Sequence, residues 1–208
     1  MTILIKSGNR NYKIQEYRQR LTYKVTIAPA AEPLTLDEAK LHLKMDGISA
    51  DDDLITSLII AARQYAENYC NRGFITQTIA QVYNRFPELE GVLRLAVSPL
   101  MSVTSVFYKD ENGDNQTWAD ANYVVDNYTE PGEISLANSK IYPTTLTEKN
   151  TIMVIYQVGY GNAAAVPIAI KQAMLLLIGH FYVNREDTVS EKRTAAERLL
   201  GFYRVKRY

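Results

Sequence analysis

The hydrophobic pattern of this chain changes period twice, and that double switch restricts the folds open to it. From Glu32 to Thr78 apolar residues recur at helical spacing. From about Gln77 to Tyr160 they alternate, with aromatic and β-branched residues prominent, as in Ile79-Ala80-Gln81-Val82-Tyr83 and Val92-Leu93-Arg94-Leu95. After Gly159-Tyr160-Gly161 the helical period returns. The pattern predicts an α+β fold: a helix bundle formed by an N-terminal helical pair and C-terminal helices, with an inserted antiparallel β-rich segment read as a meander or small barrel.

The first helix is predicted to start at Thr35. Its hydroxyl can accept from the Glu38 N–H while the Glu38 carboxylate reaches back to the Thr35 N–H, a capping box worth about 1 kcal/mol. Asp46-Gly47 is read as its stop. Asp51, Asp52 and Asp53 are candidate caps of the second helix, because their charges favour the positive end of the helix dipole. Leu54, Ile55, Leu58, Ile59, Ala62, Tyr65, Ala66 and Tyr69 form its apolar face, and Gly73 is read as a left-handed stop. Further along, Pro167 suits a first helical turn. The following run through Phe181 and Tyr182 is apolar nearly all round and predicts a central helix. A last amphipathic helix is expected from about Ser190 to Tyr203.

The expected boundaries are a basic arm at 1–31, the helical pair at 32–76, the β-rich insertion at 77–160, the C-terminal helices at 161–203 and a basic tail at 204–208. The chain has 23 basic and 23 acidic residues among its 208, so net charge gives no sign of a dedicated nucleic-acid binder. The charge is polarised nonetheless, with basic ends and an acidic middle. Such a distribution suits contact with acidic surfaces, a neighbouring copy included. Arg18, Arg20, Tyr23, Lys24, Tyr203, Arg204, Lys206, Arg207 and Tyr208 are the candidate interface residues, since arginine and tyrosine are enriched where proteins meet. The same tyrosine-containing basic ends would serve a nucleic-acid-binding module, which is the alternative reading.

Catalytic and metal chemistry finds little support. His42 and His180 are the only histidines; Asp46, four residues after His42, could pair with it, but two groups do not make a zinc site, and His180 has only Val183 and Asn184 one helical turn on. The Asp46–Asp53 cluster fails the calcium-loop pattern, because Ile48 falls where an oxygen ligand is required. Gly159-Tyr160-Gly161 lacks the rest of any phosphate-binding fingerprint and reads as a strand-to-helix turn. The single cysteine, Cys70, excludes an intrachain disulfide and fits folding in a reducing compartment. No signal peptide or run long enough to span a membrane is visible, so a soluble protein is expected.

The hairpin EPLTLDEAKLHLKMDG followed by SADDDLITSLIIAARQYAENYCNRGFITQT resembles the opening of the head–tail connector proteins of long-tailed bacteriophages, also called neck adaptors or head-completion proteins. VSPLMSVTSVFYKDENGD and VIYQVGYGNAAAVPIAIKQAMLLLIGHFYVNRE follow in the family's order, with Gly159, Pro167, His180, Phe181, Tyr182, Asn184, Arg185 and Glu186 in matching places. The resemblance spans about residues 32–187. It implies a structural, non-enzymatic virion protein of the neck, made in the host cytoplasm and needing no cofactor. It implies a ring, usually of twelve copies, beneath the portal protein, which extends the DNA channel without sequence-specific binding and offers a platform to a stopper or tail-completion protein. Docking on the portal through the C-terminal region is also implied, and by position this falls on Arg204 to Tyr208.

Overall fold

The computed structural model describes residues 22–87, 91–184 and 194–206. Four helices and eight strands occur among them. The order along the chain is β1 (Thr22–Ile27), α1 (Leu36–Leu43), α2 (Asp52–Cys70), β2 (Gln77–Tyr83), β3 (Leu93–Arg94), β4 (Leu100–Lys109), β5 (Asn115–Trp118), β6 (Tyr123–Asp126), β7 (Glu133–Leu136), β8 (Ile152–Val158), α3 (Ile168–Val183) and α4 (Ala195–Gly201). The expected α+β architecture is the observed one.

The helices bury one cluster, in which Ile55, Ile59, Ala62 and Ala66 of α2 meet Ile170, Ala173, Met174 and Ile178 of α3. Both α2 and α3 touch every other helix, so the centre is a pair rather than the single helix the apolar run suggested. The strands build a five-stranded sheet in the order β1-β2-β8-β4-β5 and a three-stranded sheet in the order β3-β7-β6. All strand pairs are antiparallel, but the larger sheet is no meander: β8 lies between β2 and β4, far from both in sequence. A second core forms here, with Tyr156, Val154, Val106, Ile134 and Leu95 fully buried and an aromatic group of Phe86, Trp118, Tyr123 and Tyr142.

Two helix stops differ from expectation. α1 ends at Leu43, where Lys44 takes the left-handed conformation at φ 57°, ahead of Asp46-Gly47. α2 ends through Asn71 at φ 56°, because a short polar side chain tolerates that region. Gly73 serves a different purpose: a Cβ there would lie 2.7 Å from Nε2 of Gln77 and 2.9 Å from Cγ2 of Val158, so a larger residue would have to push these two side chains aside between helix end and sheet. Pro167 stands at the N-cap of α3, one residue before the helix. Residues 22–27 of the expected basic arm form β1, whose Tyr23 and Lys24 stand opposite Gln81 and Ala80 of β2.

Candidate functional site

The left-handed turn at Asn71 directs the next residue, Arg72, across the end of α2 and into the junction between helices and sheets. Arg72 is 9% exposed. Its Nε donates to the Tyr203 carbonyl at 2.5 Å, and its two Nη atoms form a bidentate pair with the Glu130 carboxylate in the β6–β7 connection. Its guanidinium carbon lies 6.0 Å from the centre of the Tyr160 ring, close enough for a cation–π contact. One side chain thus joins the end of α2, the β6–β7 loop and the C-terminal segment. Burial is the largest single influence and opposes its charge, but hydrogen bonding to Glu130 and the electrostatic effects of Tyr160, Glu130 and Cys70 together outweigh it, and the guanidinium pKa rises.

Backbone bonds complete the junction. Gly73 N–H donates to Ser98 at 2.8 Å and Ser98 N–H to Asn71 at 3.2 Å. Val205 N–H donates to the Cys70 carbonyl at 2.9 Å, while Asn71 Nδ2 donates to the Val205 carbonyl at 2.7 Å. Val205 is buried, and the Arg204 guanidinium sits 5.4 Å from the Tyr69 ring centre. The C-terminal segment is therefore held on the helix end through Tyr203 and Val205, with Phe202, Arg204 and Lys206 facing solvent.

The other candidate interface residues are distributed differently. Tyr23 packs against the sheet core and Tyr203 against the helical core, so these two candidates belong to different parts of the molecule. Arg18, Arg20, Arg207 and Tyr208 lie outside the described residues. Both histidines are exposed, with His180 Nδ1 3.0 Å from Nδ2 of Asn184. Among the described residues no group of three or more His, Cys, Asp or Glu side chains is arranged to hold a metal ion.

The capping residues divide in the same way. Thr35 and Glu38 form both bonds of the capping box, at 3.1 and 2.7 Å. Asp51 occupies the N-cap position of α2, but its carboxylate makes no cap bond and instead accepts from the Tyr182 hydroxyl of α3. Asp52 pairs with Lys40 of α1 at 2.7 Å, and Asp53 is exposed. The acid cluster ties helices together more than it caps one. Sequence reasoning missed Arg72 and Glu130, which are 58 positions apart. The available signal was an arginine set between buried Cys70 and the apolar Phe74, where a charge must find a partner.

This is the geometry of a scaffold with a fixed C-terminal surface. The sequence model of a family described as head completion protein matches residues 32–197. The chain belongs to the head completion protein family. This is the connector group that the hairpin and the later segments resemble. Two chains of similar fold come from structures titled "Neck of empty GTA particle computed with C6 symmetry" and "Virion of native gene transfer agent (GTA) particle". The first has a TM-score of 0.75 at 18% identity and covers 90% of this chain and 97% of its own. The second has a TM-score of 0.75 at 19% identity, with coverages of 89% and 96%. A third, from "Neck of native GTA particle computed with C12 symmetry", has a TM-score of 0.69 at 16% identity, with coverages of 90% and 97%. No curated protein matches the chain in sequence. The family match runs from the hairpin to Glu197, so β1 and the residues from Arg198 onward lie outside it, while α1 to α3, the start of α4 and strands β2 to β8 lie within.

Proposed function

We propose that this head completion protein is a ring-forming adaptor of the virion neck, set between portal and tail, where it extends the DNA channel and presents a docking platform to a stopper or tail-completion protein. The observation that carries this reading is the near end-to-end fold likeness to a chain in a particle neck computed with C12 symmetry. Closed rings arise from head-to-tail contacts between unlike surfaces, and the polarised charge of the sequence supplies unlike surfaces. On this reading the helices at 32–76 and 161–203 and the strands at 77–160 are the working units of one subunit. The role is structural, with no catalysis and no cofactor.

The immobilised C-terminal segment supports docking to the portal through Tyr203, Arg204 and Lys206. Tyr23 and Lys24 on β1 suit contact with a neighbouring subunit. The acidic turn of half-buried Asp110 and exposed Glu111 and Asp114 suits a channel wall along which DNA slides, since phosphate binding needs cations. Gln116 and the turn's backbone N–H groups hold the Asp110 carboxyl below its usual range, so it stays ionised.

Electron microscopy of the purified protein, alone and mixed with portal rings from the same particle, tests the reading. Twelvefold rings stacked on portals are expected. A monomer that ignores portals but binds duplex DNA with a steep salt dependence would replace this function with a nucleic-acid-binding one.

A further inference from the structure

The two most exposed large aromatic side chains among the described residues are Tyr128, 97% exposed, and Phe202, 89% exposed. They are 74 positions apart, in loops of different architecture, yet both loops are fixed by Arg72. Tyr128 lies two residues before Glu130, which takes both Nη atoms. Phe202 lies one residue before Tyr203, whose carbonyl takes Nε. A lone exposed aromatic needs no explanation. Two of them on segments that one buried arginine ties together call for one.

The backbone that carries each is also fixed locally. The Asp126 carboxylate accepts from the N–H groups of Tyr128 and Thr129 at 2.8 and 3.2 Å. Phe202 stands between Leu200, fully buried, and Val205, bonded to both Cys70 and Asn71. Tyr203 N–H donates to Leu200 and Arg204 N–H to Gly201, which closes the turn around Phe202. Aromatic anchors that lose little freedom on binding carry most of the affinity at protein interfaces.

We infer that Tyr128 and Phe202 are the paired anchors of a docking surface organised by Arg72, and that its partner is a protein with two apolar sockets and carboxylates beside the one that takes Phe202. The inference rests on the portal-docking reading and gives it specific residues, one of them in the β-rich segment. The charges around the anchors select the partner. Arg204 and Lys206 are exposed beside Phe202, which suits carboxylates opposite. Asp126 and Glu130 flank Tyr128, and backbone donation to Asp126 keeps its carboxyl ionised. An anion at one end of the surface opposes a phosphate backbone, which favours protein over nucleic acid.

The test uses the full chain and purified portal rings of the same particle. Tyr128→Ala, Phe202→Ala, the double variant and Ile168→Ala, a control 76% exposed in wild type, are compared by portal affinity, ring size and thermal melting. Each anchor variant is expected to weaken portal binding at least about tenfold. Ring size and melting should stay at wild-type values, and the control should bind normally. Glu130→Gln, milder than removing Arg72, is expected to weaken binding and to raise amide exchange around Tyr128. Wild-type binding by both anchor variants would overturn the surface and leave the adaptor function standing. A wild-type chain that does not bind portal at all would overturn both. Loss of ring assembly would make the occupant a second copy, and loss of a salt-sensitive affinity for single-stranded DNA would make it nucleic acid; either refutes the inference.

Discussion

Arg63 and Glu67 face each other one turn apart on α2, with Nη1 2.8 Å from Oε2 and both side chains largely sealed from water. Glu67 also accepts from the Phe74 N–H at 2.8 Å and from Gln77 Nε2 at 2.9 Å, so this carboxylate joins the helix to the start of β2. Arg63 in turn reaches Glu32 at 2.7 Å. Burial dominates at Glu67 and raises its pKa despite these donors. Arg63→Ala would leave a buried carboxylate without its cation, and a loss of about 3 kcal/mol in denaturant unfolding is expected.

The same carboxylate gives a pH dependence of definite sign. Its folded pKa lies above the ordinary 4.5, so the native state holds the proton more tightly than the unfolded chain. The stabilisation is complete below that ordinary value and is lost as pH rises through the folded pKa. Urea unfolding from about pH 4 to about pH 7 should show this decline in the wild type and lack it in Glu67→Gln.

Arg72→Ala removes the bidentate pair and the bond to Tyr203. The Glu130 side chain is 41% exposed and can return to water, so the cost is expected at about 2 kcal/mol rather than that of a fully buried pair. Hydrogen exchange at Tyr203 and Val205 should rise more than at α3. Arg72→Lys should not restore protection, because an ammonium cannot make the planar fork and the Nε bond together.

Gly159 and Gly161 separate two costs of adding a side chain. Gly159 has φ +124°, and a Cβ there would stand 2.7 Å from the backbone C and O of Ile75. Gly161 has φ +110° with nothing within 4 Å. Gly161→Ala is expected to cost roughly 1–3 kcal/mol from backbone strain alone. Gly159→Ala adds a clash that only backbone movement relieves and should cost clearly more. Paired denaturant melts would settle the order.

Burial pushes the Cys70 thiol up to about 11. At about pH 8 the thiolate fraction is then about a thousandth, and reaction with a disulfide reagent should be at least about a hundredfold slower in the folded protein than in denaturant. Equal rates would place the α2 end and α4 apart, since Cys70 Sγ donates to the Leu200 carbonyl at 3.5 Å.

What could be read from the sequence followed the range of the interactions. The capping box at Thr35 and Glu38 spans three positions, and the periodicity of α2 and α3 is local, so both were visible. Most strand positions were visible too, because alternation is local. Their order was not: β8 joins β2 to β4 through pairings that no local pattern encodes. Asp51 looked like a cap because its neighbours form a helix, but Tyr182, 131 positions later, takes the carboxylate. Arg72 and Glu130 were illegible for the same reason. The docking candidates Tyr203, Arg204 and Lys206 were found from composition, but composition did not reveal the arginine that fixes the backbone beneath them.

The position of β8 also sets a timetable for the ribosome. When β1, β2, β4 and β5 have been made, neither half of the larger sheet can join the other, because the strand between them is residues 152–158. The helical core waits as well, since α2 buries its face against α3 at residues 168–183. About three-quarters of the polypeptide must be translated before either core can close, and until then the nascent chain displays open strand edges and an uncovered apolar helix. Exposed apolar surface and unpaired strand edges are what make partly made chains prone to aggregate, so slower translation or added chaperone is expected to raise the yield of folded chains.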